Sequence, residues 1–331
     1  MPFGTTVIAT ALNALAGLSG AFLGRPLSAR ELEALLDHAG PTPSTASLSK
    51  AFFASDAVKG SLGSVPLTAD EITRRFARNV LGFEATEAQV ALVRANGPKD
   101  FGELTQALVS LVDGYVGNDG FVNQLKAKWR DSSKATETLY QRHEAAALVT
   151  SLSVGILGWA PDSKTLTDSV NARLAGASEA DLATRLLNTT AAKEHFGSEP
   201  GPVFEVFLLT SVLGRSPTTF EIEVVRAVNI ADRGLLAAAL VRVVDQYAGT
   251  DPALLESSAR LQNRTEFGLA IQEVLGSKLA PTSLSRADAA FAASRNLVRL
   301  VDQNEITKDA AIAYLSRLAT ASDISKAVAE L

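Results

Sequence analysis

The 331-residue chain has no cysteine, three histidines and one methionine, which is its first residue. The lack of cysteine excludes disulfide frameworks, cysteine-containing zinc sites and thiol catalysis. His38, His143 and His195 lie far apart without an HExxH pattern, and no G-x-S-x-G or nucleotide-binding motif accompanies them. Each histidine is interpreted as a residue on the surface or at the end of a helix. We expect no catalytic residues, no metal and no cofactor.

Long hydrophobic runs are also missing, because no stretch of about 18 apolar residues is free of interruption. The apolar segment 5–23 lacks the basic start of a secretory signal peptide, since the first basic residue is Arg25. It is predicted to be a core helix. The 31 Lys and Arg residues against 36 Asp and Glu residues give a net charge of -5, which argues against a nucleic-acid-binding surface. We expect a globular chain that neither spans a membrane nor binds nucleic acid.

What the chain does contain is a short motif, an apolar residue followed by Leu and Gly, that occurs five times at intervals of roughly 60 residues. Glycine enters the left-handed region without a Cβ clash, so each motif is predicted to stop a helix. The leucine before each glycine is predicted to be buried. The five glycines are Gly24, Gly82, Gly158, Gly214 and Gly276.

The fourth residue after each of the first four glycines has a side chain that can cap a new helix. These residues are Ser28, Thr86, Asp162 and Thr218. Three of them have Glu or Gln three residues later, which completes a capping box. In three units a proline, which cannot continue the preceding helix, lies between glycine and cap. These prolines are Pro26, Pro161 and Pro217.

This pattern predicts an all-α protein of stacked helical repeat units joined by short Gly/Pro turns. Second helices within the units are predicted over residues 101–115, 181–195 and 233–247, where apolar residues recur at helical spacing. Loops are predicted at 40–49, 117–120, 197–202 and 249–252. For residues 117–120, a plain turn is favoured over a calcium loop, because the acidic ligands of an EF-hand are missing.

The repeat also suggests how the chain is divided. Residues 1–120 are predicted to hold units one and two, residues 121–250 units three and four, and residues 251–331 a C-terminal helical unit.

The segment from Phe204 to Pro217 combines a helical pattern with apolar-Leu-Gly-Arg and a following proline, and Ala21 to Pro26 repeats its end. This order resembles phycobilisome linker domains and the related helical repeats of secreted bacterial surface proteins, including the N-terminal regions of alphaproteobacterial S-layer proteins. The resemblance implies attachment to the O-polysaccharide of lipopolysaccharide beside a separate lattice-forming part. Arginine follows the glycine only in units one and four, and calcium-binding nonapeptides are absent from the sequence.

A basic and aromatic stretch lies in the middle of this acidic chain. Aromatic rings pack on the apolar faces of sugars, while cations pair with phosphates or acidic sugars. The alternative is a solvated helix face with a buried tryptophan. The predicted glycan-binding residues are Lys126, Lys128, Trp129, Arg130, Tyr140 and Arg142.

These observations favour a non-enzymatic structural protein of the extracellular bacterial cell surface. It is expected to self-associate into an oligomer or lattice and to bind lipopolysaccharide or another envelope glycan. The alternative is an intracellular scaffold, similar to phycobilisome linkers, that organises other proteins. An enzyme is less favoured, because no nucleophile or acid–base pair can be assembled from the sequence.

Overall fold

In the computed structural model, the regular structure of the described residues is helical, which confirms the predicted all-α class. No strand occurs among these residues. The stacking of repeat units stays a prediction. The structure describes residues 5–39, 44–62, 68–95, 103–104, 107, 116–117, 120–197, 201–278, 297–298, 300–303 and 305–318.

The helices are numbered in chain order. Those up to the longest helix are α1 (Thr5–Phe22), α2 (Ala29–Ala39), α3 (Thr45–Ala54), α4 (Asp56–Leu62), α5 (Ala69–Phe76), a π-helical turn (Ala77–Leu81), α6 (Glu87–Ala95) and α7 (Gly120–Leu157). Those after it are α8 (Ser163–Leu174), α9 (Glu179–Leu187), α10 (Thr190–Phe196), α11 (Pro202–Leu213), α12 (Thr219–Val228), α13 (Arg233–Asp245), α14 (Pro252–Lys278) and α15 (Lys308–Leu318).

Contacts along the chain define two compact units, residues 1–143 and 144–331. The long helix α7 supplies residues to both. Tyr140 packs against the core of the first unit, and Ala145 belongs to the core of the second. The three segments expected from the repeat stay a prediction beside this grouping.

The core of the first unit is built around α1, which packs against α3, α5 and the π-helical turn. Leu15 is fully buried on this helix, which confirms that the apolar segment at the start of the chain forms a core helix. At its end, the rings of Phe22, Phe52 and Phe53 meet edge to face with centroids 5.0 to 6.2 Å apart. This geometry is favourable for aromatic pairs.

The core of the second unit depends on close contact between α9 and α13. Gly234 makes this approach possible, because a Cβ at this position would lie 2.7 Å from the carbonyl oxygen of Ala180. Helix α11 runs through the same core and buries Leu208 and Val212 completely.

The first four predicted glycine turns are confirmed. Their glycines have φ angles of 63°, 71°, 82° and 64° in chain order. Each predicted cap accepts a hydrogen bond from the backbone N–H three residues later, at 2.8 to 3.3 Å. The prediction of a fifth turn is wrong, because Gly276 lies inside α14. Ala280 stands where the other units have a cap, and alanine cannot accept such a bond.

Other predicted boundaries need correction. Residues 181–195 form parts of two helices rather than one, because Thr189 accepts from the N–H of Ala192 and starts α10. The loop expected at 40–49 ends early, since Ser44 caps α3. The helix expected at 233–247 is confirmed as α13. The helix expected at 101–115 lies almost wholly outside the described residues.

The predicted burial of the leucine before each glycine is confirmed for Leu157 and Leu213. Leu23 is only partly buried, because the preceding Phe22 fills the core at that level. The side chains of Leu81 and Leu275 lie outside the described part of the chain.

Two arginines of α14 stabilise the end of α11. Arg260 Nη1 donates to the carbonyl of Gly214 at 3.2 Å, and Arg264 Nη1 donates to that of Ser211 at 3.1 Å. The last carbonyls of a helix lack intrahelical partners and carry the negative end of its dipole, so cations are favourable there. The side chain of Arg264 is 5% exposed, and its Nε lies 2.8 Å from the carboxylate of Asp302.

Gly214 and Gly24 provide a matched test of this contact. Both have a left-handed backbone, but a Cβ at Gly214 would overlap Arg264, whereas a Cβ at Gly24 would meet nothing within 4 Å. Gly24→Ala should cost about 1 to 2 kcal/mol, the usual cost of a left-handed alanine. Gly214→Ala should cost at least about 1 kcal/mol more, because it displaces a buried ion pair. Urea unfolding of each variant measures the difference. Equal losses would contradict the role given to Arg264.

Candidate functional site

The same charged arrangement follows the glycine in units one and four. In repeat unit one, Arg25 binds both carboxylate oxygens of Glu31 at 2.7 and 2.8 Å. One of these oxygens also accepts from the backbone N–H and the hydroxyl of Ser28, each at 2.9 Å. A single glutamate thus joins the arginine after the glycine to the cap of the next helix. We call this arrangement the bridged turn.

The bridged turn of unit four has the same partners. Arg215 binds both oxygens of Glu221 at 2.6 and 3.0 Å. Thr218 donates to Glu221 from its backbone N–H at 2.7 Å and from its hydroxyl at 2.9 Å. The bidentate geometry is the strongest form of an arginine–carboxylate contact.

These contacts keep both glutamates ionised. The hydrogen bonds from the arginine lower the pKa of Glu31 and of Glu221 to about 2, from an ordinary value of 4.5. Burial opposes this shift, and the bonds from Ser28 and Thr218 add to it. A carboxylate with a lowered pKa stabilises the fold above its ordinary pKa, and this stabilisation is lost as the pH falls toward 2.

Glu221→Gln should therefore reduce stability by about 1 to 3 kcal/mol at pH 7. The difference from wild type should shrink as the pH falls below about 4.5, because Glu221 then takes up a proton in the unfolded chain while it stays ionised in the folded one. Urea unfolding at several pH values between 3 and 7 measures this. Glu223→Gln, at an exposed position of the same helix, is the control. A difference that stays constant over this pH range would contradict the account.

A groove of about 670 Å³ lies beside the bridged turn of repeat unit one. The turn and α2 form one wall, with Arg25, Glu31 and His38 among the polar residues. Small residues of α3, including Ala51 and Ala54, contribute to the lining, which is mostly apolar. Such a groove can hold an apolar group between charged rims.

The second unit has a cavity of about 510 Å³ lined by aromatic and basic residues. Phe196 and Phe204 meet there with ring centroids 5.3 Å apart. His195 lies edge-on to both Phe196 and Trp159, at 4.8 and 5.3 Å. His195 lies in the last turn of α10, which confirms the helix-end position expected for it, and Trp159 packs against the core.

The predicted glycan-binding residues all fall on α7. Arg130 and Arg142 are exposed, Lys126 is half-buried, and Tyr140 is half-buried against the first core. The side chains of Lys128 and Trp129 lie outside the part of the chain that the structure describes.

Helix geometry divides these six positions. At about 100° per residue, positions 126, 129, 130 and 140 fall within an arc of about 100°, and positions 128 and 142 lie on the opposite side of α7. The stretch from 126 to 142 is about 24 Å long. The six residues thus do not share one face, and their role in glycan binding stays a prediction.

The cavity of the second unit cannot be recognised from the sequence. Its residues come from α9, α10, α11 and α13, so no local motif brings them together. The available signal was weak: two phenylalanines, Phe196 and Phe204, on either side of a glycine-containing break.

Comparisons with protein-family models, with curated proteins and with solved structures returned no match to this chain. Within the described ranges, no helix combines the length and hydrophobicity that crossing a membrane requires. In the same ranges, no three His, Asp or Glu side chains are grouped so that they could hold a metal ion.

The placement of the predicted glycan-binding residues on two sides of α7 permits a test of their role. Lys126→Gln/Arg130→Gln and Lys128→Gln/Arg142→Gln remove the same charge from opposite sides of the helix. If one side binds lipopolysaccharide, only one pair should weaken binding, mainly at low salt, because salt screens exposed charges. Binding to isolated lipopolysaccharide at 20 and 300 mM salt measures this. If both double variants fold and bind lipopolysaccharide as wild type does, α7 is not part of the binding site.

Proposed function

We propose that this chain is a non-enzymatic structural protein of the bacterial cell surface that self-associates and binds an envelope glycan. The observation that carries the proposal is the bridged turn, which recurs in both compact units with the same bidentate contacts. Repeated helical units with local stabilisation are typical of extended scaffolds. The same observation is compatible with the alternative, an intracellular scaffold for other proteins.

An exposed apolar stripe on α12 supports self-association. Phe220, Val224 and Val228 are 73%, 44% and 60% exposed and lie four residues apart, so they share one face of the helix. The core side of α12 is formed by other residues, Val225 and Ile222. Exposed apolar patches of this kind mark interaction sites. We propose a second copy of the chain as the partner of this stripe.

Cellular location separates the two functions. In cells that produce the protein naturally, shearing or treatment with EDTA should release it from intact cells if it belongs to the surface. A cytosolic enzyme assayed in the same fractions reports lysis. Recovery of the protein only together with this marker would contradict the surface proposal and favour the intracellular scaffold.

Removing the apolar stripe should weaken self-association. Phe220→Ser/Val228→Ser should raise the dissociation constant about tenfold or more, because it removes the two most exposed apolar side chains of the stripe. Sedimentation velocity over a range of concentrations measures this. Val243→Ser, at a position of α13 that is 63% exposed, is the control. Association equal to that of wild type would exclude the stripe as an interface.

A further inference from the structure

We propose that the apolar stripe of α12 in one copy of the chain docks into the groove between α2 and α3 of a second copy, so that copies join head to tail. This inference rests on the proposed self-association and names the surface that receives the stripe. Because each chain carries both the groove and the stripe, such a contact can continue from copy to copy.

The groove lies between two helices that pack against each other. Glu31, Leu35 and His38 recur at helical spacing on α2 and form about 10 Å of one wall. Ala51 and Ala54 line the facing helix α3, and their small side chains leave the space between the helices open. Grooves of this kind bind amphipathic helices through apolar side chains on successive turns.

The stripe has the length and shape that this groove requires. Phe220, Val224 and Val228 span about 12 Å along α12, close to the length of the α2 wall. These side chains are large and exposed, whereas those that line α3, such as Ala54, are small. Large side chains on one surface that face small ones on the other can interdigitate closely.

The charges at the groove suit an apolar occupant. Arg25 is bound by both oxygens of Glu31, so this pair is neutral as a whole and needs no counter-ion from a ligand. His38 and Asp56, of opposite sign when both are charged, are exposed at the rim. On α12, the exposed Glu223 lies beside the stripe, about 100° around the helix. The contact is therefore mostly apolar, and added salt should change its affinity little.

Pairing of two stripes is the alternative contact. A two-fold axis would place α12 against α12, and this contact would close at a dimer. It would also leave the apolar lining of the groove in water. In the groove, the stripe is contacted from two sides, by α2 and by α3, so more apolar area is removed from water.

Sedimentation velocity of the full chain tests the contact. Ala34→Gln/Ala54→Gln places longer polar side chains at two exposed positions of the groove and should raise the dissociation constant about tenfold or more. Ala88→Gln/Ala91→Gln makes the same change at exposed positions of α6 and should leave association unchanged. A groove variant that associates as wild type does would overturn the proposal.

A mixture of two defective variants distinguishes docking from the pairing of stripes. The groove variant keeps its stripe, and Phe220→Ser/Val228→Ser keeps its groove. An equimolar mixture should recover wild-type affinity but stop at dimers, because the groove and the stripe left over in each dimer are both defective. If both variants are folded by circular dichroism and their mixture stays monomeric, the proposal is wrong.

Single cysteines provide a measurement that does not depend on the groove variant, since the chain has no cysteine of its own. Copies with Ala54→Cys and copies with Val224→Cys, mixed and treated with a short bis-maleimide, should form a cross-linked pair. Copies with Ala54→Cys and copies with Val243→Cys, an exposed position of α13, should not. Cross-links that join only Val224→Cys copies to one another would show paired stripes and overturn the proposal.

The behaviour of wild type separates this inference from the proposed self-association. A wild-type chain that stays monomeric at every concentration would overturn both. A wild-type chain that associates, together with a groove variant that associates equally well, would overturn the groove assignment and leave self-association standing.

Discussion

A left-handed glycine followed by a side-chain cap is the constraint on which the local order of this chain depends, and in units one and four it carries the bridged turn. A helix ends at a left-handed glycine, and a glutamate three residues past the cap binds the intervening arginine and the cap together. In units one and four the bridge pairs the backbone N–H of the cap residue and ties the cap to the arginine that follows the glycine. The turns of units two and three use the cap without this arginine. The glycine turns therefore set the local path of the chain, and packing within each core sets the contacts between distant helices.

Predictions that depended on neighbours in sequence succeeded. The all-α class, four glycine stops and four caps follow from side chains within a few residues of one another. Gly276 shows the limit of this reasoning, because the motif is present there and the helix nevertheless continues past the glycine to Lys278. The split at Thr189 shows it again, since a threonine inside an apolar pattern competed successfully with helix continuation.

Features that depended on distant residues were not predictable. Arg264 approaches Gly214 only because α14 packs against α11, and no local pattern encodes that contact. Phe196, Phe204 and Arg233 come together for the same reason. The basic stretch on α7 looked like one surface because its residues are close in sequence, whereas helix geometry places them on two sides. Proximity along a helix is therefore a poor guide to a shared binding face.

Electron microscopy tests the central claim, assembly at the cell surface, most directly. Both the native surface of producing cells and the purified full chain should be imaged. The account predicts the same two-dimensional lattice in both, labelled on cells by antibodies against this chain. A smooth, unlabelled cell surface together with separate single molecules in the purified sample, even at high concentration, would contradict it.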